Sequence, residues 1–303
     1  MKTDFMINCT NKNEVNAAVQ NLDIAIKCDL TIDLAGVPKK INDYKGVYNV
    51  SKDRFCGVVT SRYNLVQHKD YVLDFADAMN RLNLDYSINM MTFKNKIFAD
   101  IKFNDKNIKL DKLNEEFITG VRLINSYDKT TCLSIQPMFT RLACTNGMIM
   151  TSFSDTLSIR HDSTSVKRIA QEIELKLSRM INNNSYLEKW VSESMGDSIE
   201  WNVCCGIIEK LFAQIKHREG ILNQLGISVI KVKEKSKGIN KVRYVLDEKL
   251  NNTITRWKLY NAVTSYLTHN EHITPHINDM LHKQAEKILT KSSTMLPQIE
   301  VEI

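Results

Sequence analysis

The sequence predicts an α+β protein, with an antiparallel sheet in its N-terminal half and helices mainly in its C-terminal half around one basic β-hairpin. Three observations lead there. Apolar residues alternate with polar ones along several stretches before about residue 160. Beyond that point their spacing lengthens to three and four, the helical period. The 43% hydrophobic content of 303 residues supplies enough apolar material for a real core, or two small ones.

Asn13–Gln20 begins a helix with Asn13 as its cap. Across Leu22–Leu34 the residues Ile24, Ile26, Cys28, Leu30, Ile32 and Leu34 alternate with other side chains, as in a half-buried strand. Asn42 to Lys52 is expected to be a loop. Phe55–Val59 and Tyr63–Gln67 are expected strands, and Tyr71–Leu82 is a helix with Val72, Phe75, Ala76 and Met79 at helical spacing. Tyr86–Phe93 and the alternating Ile97, Ala99, Ile101 and Phe103 form an antiparallel hairpin about Lys94-Asn95-Lys96. Phe117–Asn125 and Thr131–Gln136 add two strands joined by Ser126-Tyr127-Asp128-Lys129.

Ser165–Met180 carries Val166, Ile169, Ile173, Leu177 and Met180 on one helical face, and Asn182-Asn183-Asn184 interrupts it. Leu187–Val191 and Ile199–Ile215 continue as helix. Ile227 to Leu246 returns to alternation, with Ser236-Lys237-Gly238 as the turn. Thr253–Thr268 and Ile277–Leu289 are helical, and the tail from Ser292 is expected to be loose. The organisation is thus a β-rich part, residues 1–160, and a mainly helical part, 161–303, with the basic hairpin near 227–246; the two could form one continuous domain.

Composition removes several classes of function. No apolar run is long enough to span a bilayer, and the N-terminus lacks the apolar centre of a secretory signal, so a cytoplasmic protein without a membrane partner is expected. The seven cysteines are odd in number and include no C-x-x-C pair, which argues against a zinc ribbon or a disulfide framework. Neither G-x-x-x-x-G-K-[ST] nor G-x-G-x-x-G occurs, which argues against a P-loop ATPase or a dinucleotide enzyme. No cofactor and no metal are expected.

Charge is the strongest clue. Between Lys216 and Arg243 stand eight Lys or Arg against two Glu, a surplus equal to the +6 of the entire chain. Lys231, Lys233, Lys235 and Lys237 fall at every second position, so on a strand they would share a face, and Lys241 and Arg243 on the return strand could extend it. Such a ribbon can track a phosphate backbone, with Tyr244, Trp257 or Tyr260 as stacking surfaces for unpaired bases. The competing explanation is that the lysines guard an exposed strand edge against aggregation.

Other constellations are weaker. In Arg141-x-x-Cys144-x-Asn146-Gly147, Asn-Gly suits a turn, Cys144 is better explained by burial than by activation from His161, and Arg141 either binds a phosphate or pairs internally with Asp128. Asp128, His161 and Asp162 lie on separate segments and make a poor metal or acid–base set. His269, His272, His276 and His282 are close in sequence, but Pro275 is expected to break the helix between them and a solvated loop is the better explanation. Within Trp257–Tyr266 the apolar stripe belongs in a core, and Asn261 and Thr264 are expected to bond buried backbone.

Four stretches carry a resemblance. They are Ser61-Arg62-Tyr63-Asn64-Leu65-Val66-Gln67, then Leu123-Ile124-Asn125-Ser126-Tyr127-Asp128, then Pro137–Gly147 with Ile159-Arg160-His161 downstream, and Trp257–Tyr266 ending near His269. In order and spacing these resemble the phage/plasmid-like family catalogued as domain of unknown function 932. Tyr127-Asp128-Lys129 departs from it, where the family would have a His and a Gly. The resemblance implies a mobile-element setting and a cytoplasmic protein, and it transfers no reaction. The resulting expectation is a non-catalytic nucleic-acid-binding protein of phage or plasmid DNA metabolism. Single-stranded DNA is favoured, with strand annealing in recombination or replication as the specific form and homo-oligomerisation as a means of aligning strands. Its expected contacts are Lys231, Lys233, Lys235, Lys237, Lys241, Arg243, Arg141 and Trp257. The alternatives are a metal-dependent nuclease or other enzyme, and a module that binds a host factor.

Overall fold

The computed structural model describes residues 5–111, 114–142, 147–149, 156–162, 169–182, 185–225, 230–236, 239–245, 253–270 and 272–291. The chain divides into two compact units. The first comprises Met1–Lys109, Glu116–Thr140 and Met150–Asn183; the second comprises Leu110–Glu115, Arg141–Ile149 and Asn184–Ile303. The fold is α+β with antiparallel sheets, as the alternating patterns require.

The first unit begins with β1 (Phe5–Cys9) and α1 (Lys12–Ala18), whose cap is Asn11 rather than Asn13; the Asn11 side chain accepts from the Glu14 amide at 3.0 Å. Next come β2 (Ala25–Leu34), β3 (Val37–Asn49) and β4 (Arg54–Thr60), an antiparallel three-stranded sheet. The expected loop over 42–52 is therefore largely strand: the segment pairs with β2 across a register shift after Asp29. α2 (His68–Arg81) follows, then β5 (Tyr86–Phe93), β6 (Lys96–Leu110), β7 (Glu115–Ser126), β8 (Leu133–Arg141), β10 (Leu157–Ile159) and α3 (Ile169–Asn182), while β9 (Gly147–Ile149) falls in the second unit. A second sheet runs in the order β1-β5-β6-β7-β8-β10. One face of it buries Ile88, Met90, Ile101, Phe103 and Leu123 against Tyr71, Val72, Phe75 and Met79 of α2 and Ile173 and Leu177 of α3.

Tyr63–Gln67 is not a strand. Its polar groups are taken by neighbours instead: the Gln67 side chain pairs with both backbone groups of Ala25, at 3.1 and 2.7 Å, and Lys27 donates to the Tyr63 carbonyl at 2.8 Å.

Gly120 has a specific reason to lack a side chain. A Cβ there would stand 2.1 Å from the Ile101 carbonyl oxygen of the adjacent strand. Gly120→Ala is expected to cost about 2–3 kcal/mol, because backbone rather than a flexible side chain must yield. A lowered urea midpoint checks this, and a variant as stable as the parent would refute it.

The second unit contains α4 (Ser185–Gly196), β11 (Ser198–Glu200), α5 (Trp201–Leu211), α6 (Ile215–Gln224), β12 (Ile230–Ser236), β13 (Ile239–Val245), β14 (Thr253–Thr255), α7 (Arg256–His269) and α8 (Pro275–Thr290). The single helix expected over Ile199–Ile215 is broken: it opens as a strand paired to β14 and stops at Leu211. α7 is buried nearly all round and packs against α4, α6 and α8. Asn261 and Thr264 bond the carbonyls of Trp257 and Tyr260, at 3.0 and 3.1 Å, as expected for polar groups in a buried helix. Pro275 does not interrupt a helix but starts one, at the position where its missing amide costs nothing.

Candidate functional site

The hairpin β12–β13 forms in the expected place. Its register pairs Lys231 with Tyr244, Lys233 with Val242 and Lys235 with Asn240. Alternation therefore puts positions 231, 233 and 235 on one face, with position 244 across from 231. Lys241 and Arg243 do not extend that face. They pair with Glu234 and Val232, at the opposite parity, because an even-numbered residue of β12 faces an odd-numbered residue of β13 in this register. Lys237 lies outside the described residues.

The other two expected contacts are committed elsewhere. Arg141 grips the Glu115 carboxylate through Nε and Nη2, and its partner is thus Glu115 rather than Asp128. The Trp257 indole nitrogen donates to the same carboxylate at 3.2 Å, and the Arg141 guanidinium lies 5.7 Å from the Trp257 ring centroid. Trp257 is 4% exposed and Glu115 6%. A buried ring stacked on Tyr260 and bonded to Glu115 offers no face to a base, and Arg141 is held by a carboxylate where a phosphate would sit. Asp128 instead shapes its own turn, accepting from the Thr130 amide at 3.1 Å and the Asn95 side chain at 3.2 Å.

Within the first unit, three of the segments quoted above meet in one polar junction. Tyr63 stacks on His161, with ring centroids 4.8 Å apart, and donates to the Ser126 carbonyl at 3.2 Å. The Asn64 amide donates to the His161 carbonyl at 2.8 Å. Tyr127 stacks on His68 at 3.8 Å, accepts from the His68 amide at 3.1 Å and donates to the Asp23 carbonyl at 2.6 Å. The Asn125 amide nitrogen donates to the Val66 carbonyl at 3.0 Å and lies 3.1 Å from His68 Nδ1.

That last pair fixes a protonation state. The Val66 carbonyl can only accept, so the Asn125 atom facing it is the nitrogen, and the same NH2 group points at His68 Nδ1. Nδ1 must therefore carry its lone pair, and His68 is neutral with its proton on Nε2. Burial lowers the His68 pKa from 6.5 to about 3. Burial likewise lowers His161 and raises the phenols of Tyr63 and Tyr127. These groups tie together segments far apart in sequence, and their chemistry is that of a buried lock holding its titratable members uncharged.

The C-terminal histidines are not one loop. His269 ends α7, His272 lies in the turn, and His276 and His282 sit on α8, His282 being 3% exposed. His269 and His272 border an open cleft of about 470 Å³ with Gly220, Asn223, Gln224, Tyr266 and Asn270. Sequence reasoning missed this cleft, although Gly220, Asn223 and Gln224 fall at helical spacing. Among the described residues, no three His, Cys, Asp or Glu side chains group as metal ligands, and no helix is long and apolar enough to cross a membrane. Cys144 and Asn146 lie outside the described residues.

Residues 56–294 match the family model described as Domain of unknown function (DUF932). No curated protein and no solved structure matches the chain.

Proposed function

We propose that this chain, which belongs to the domain of unknown function 932 family, binds nucleic acid through the lysine-bearing face of hairpin β12–β13. The observation that carries this is the register that groups positions 231, 233 and 235, with Tyr244 paired to Lys231. Three lysine positions at the ~7 Å repeat of alternate strand residues put a row of positive charge on one strand, which favours a phosphate backbone as the partner. A tyrosine beside them suits unpaired bases better than a closed duplex, which favours single-stranded DNA. Strand annealing or recombination support on a phage or plasmid, in the host cytoplasm, is the specific form of this reading. It is motivated by the resemblance of the four motifs and by the concentration of charge. The enzyme alternative gains nothing from the His68–Asn125–Tyr127 junction, whose groups are buried and bonded to one another.

Fluorescence anisotropy with labelled single-stranded and duplex oligonucleotides at two salt concentrations tests the proposal. Three neutralised phosphates give a log–log salt slope near −2 on single strands, so raising salt from about 50 to about 200 mM is expected to weaken binding about twentyfold. The triple variant Lys231→Glu, Lys233→Glu, Lys235→Glu should lose binding to every sequence alike. Absence of binding at low salt would end the proposal, and binding that survives the triple variant would move the interface off the hairpin.

A further inference from the structure

The alternation of β2 predicts a half-buried strand, but past Ala25 neither of its faces is covered, and the alternating apolar face is open with the polar one. Ile26, Ile32 and Leu34 are 47–51% exposed. Strand pairing extends their face across the sheet: Leu34 pairs with Val37, Leu30 with Ile41, Ile26 with Tyr48, and Tyr48 with Phe55. Val37 is 65% exposed, Phe55 50% and Val58, opposite Gly46, 40%. At the centre Gly46 leaves a gap closed by Cys28, Leu30 and Phe55, all within 3.2 Å of where its Cβ would be. The outcome is a contiguous apolar surface with no side chain at its centre, position 46.

Charge is sorted to the other side. Asp29 pairs with Lys40 at 2.6 Å and also binds Lys45, and Thr31 and Asp33 follow at the same parity. On the apolar face the strand pairing places one charged residue, Lys39, opposite Ile32. A polyanion would find almost nothing there to neutralise it. The exposed side chains present on the order of 600–800 Å² of mostly apolar surface, above what an ordinary monomer leaves open and close to the ~800 Å² each partner contributes to a stable dimer. A near-neutral apolar face can meet a second copy of itself under two-fold rotation without like-charge repulsion.

We infer that the apolar face of β2–β3–β4 is a homodimer interface, on which a second copy of this chain packs sheet against sheet. It does not depend on nucleic-acid binding, and it is tested without nucleic acid. Sedimentation velocity on the full chain should show a concentration-dependent dimer between roughly 1 and 100 μM. Ile32→Lys with Leu34→Lys, both at solvent-facing positions of the hairpin tip, should raise the dimer dissociation constant at least about thirtyfold. Thr31→Lys adds one lysine on the polar side, next to Ile32, and should leave the dimer unchanged, whereas Ile32→Lys alone should already weaken it. Circular dichroism verifies that all variants keep their strands. A parent protein monomeric across the range overturns the inference, including one that instead cosediments with phosphatidylcholine vesicles. Equal weakening by Thr31→Lys and by the double variant overturns the choice of face.

Discussion

Glu115→Ala is expected to destabilise the second unit by about 3–5 kcal/mol, among the largest losses any single substitution in this chain should produce. The side chain is 4% exposed and takes hydrogen bonds from Arg141 and from the Trp257 indole. Removing it takes the carboxylate away from a guanidinium of 20% side-chain exposure beside an aromatic ring, and from the indole N–H that donates to it. The pair itself is worth much less than this loss, since burying both ions already costs desolvation. Glu115→Leu combined with Arg141→Met should therefore recover most of it, leaving the ~1–2 kcal/mol of the indole hydrogen bond to Glu115. All three tryptophans, Trp190, Trp201 and Trp257, belong to the second unit, so tryptophan fluorescence during urea unfolding reports on it specifically. A double variant no more stable than Glu115→Ala would show that packing, not charge, explains the loss.

The second large effect is a loss of stability in acid. His68 has a folded pKa of about 3 against 6.5 when unfolded. Between those values the unfolded chain takes up a proton that the native state refuses, so stability increases with pH. It is full above about pH 6.5 and falls by up to ~1.4 kcal/mol per pH unit as pH drops toward 3, or about 2–3 kcal/mol by pH 4.5. His161, also lowered by burial, acts in the same direction. His68→Phe keeps a ring against Tyr127 and removes the titration. It should cost about 1–2 kcal/mol at pH 7, where Asn125 loses an acceptor, and flatten the profile below pH 6.5. Hydrogen exchange of the β5–β6 amides at pH 7.0, 5.5 and 4.5 measures this. Parallel profiles for parent and variant would contradict it.

Local patterns in the sequence located most elements, because alternation and helical spacing are properties of neighbouring residues. The strand at Ile24–Leu34 and the hairpin at Ile227–Leu246 were both legible in this way. What alternation cannot reveal is whether the rest of the fold covers either side. Past Ala25 both sides of β2 are open, and nothing within the strand marks its apolar side as uncovered. Parity across a turn is equally hidden: Lys241 and Arg243 were expected beside the other lysines, and the register of β12 on β13 assigns them to the other face. Arg141 and Trp257 failed for a different reason. Their partner, Glu115, lies 26 and 142 residues away, and neither separation leaves a trace in sequence. The junction around His68 was partly visible, since its segments were the very stretches that stood out as motifs, but their convergence depends on tertiary contacts such as Asn64 to His161.

The distance from Glu115 to Trp257 also sets an order of events during synthesis. Glu115 and Arg141 leave the ribosome long before the indole that completes their arrangement, and at 5–20 residues per second the 142-residue wait lasts roughly 7–28 s. Once Arg141 has followed, 26 residues after Glu115, the nascent chain holds a carboxylate and a guanidinium that await the indole. A fragment that starts at residue 184 never acquires either of them, so the helical region expressed alone should remain incompletely folded.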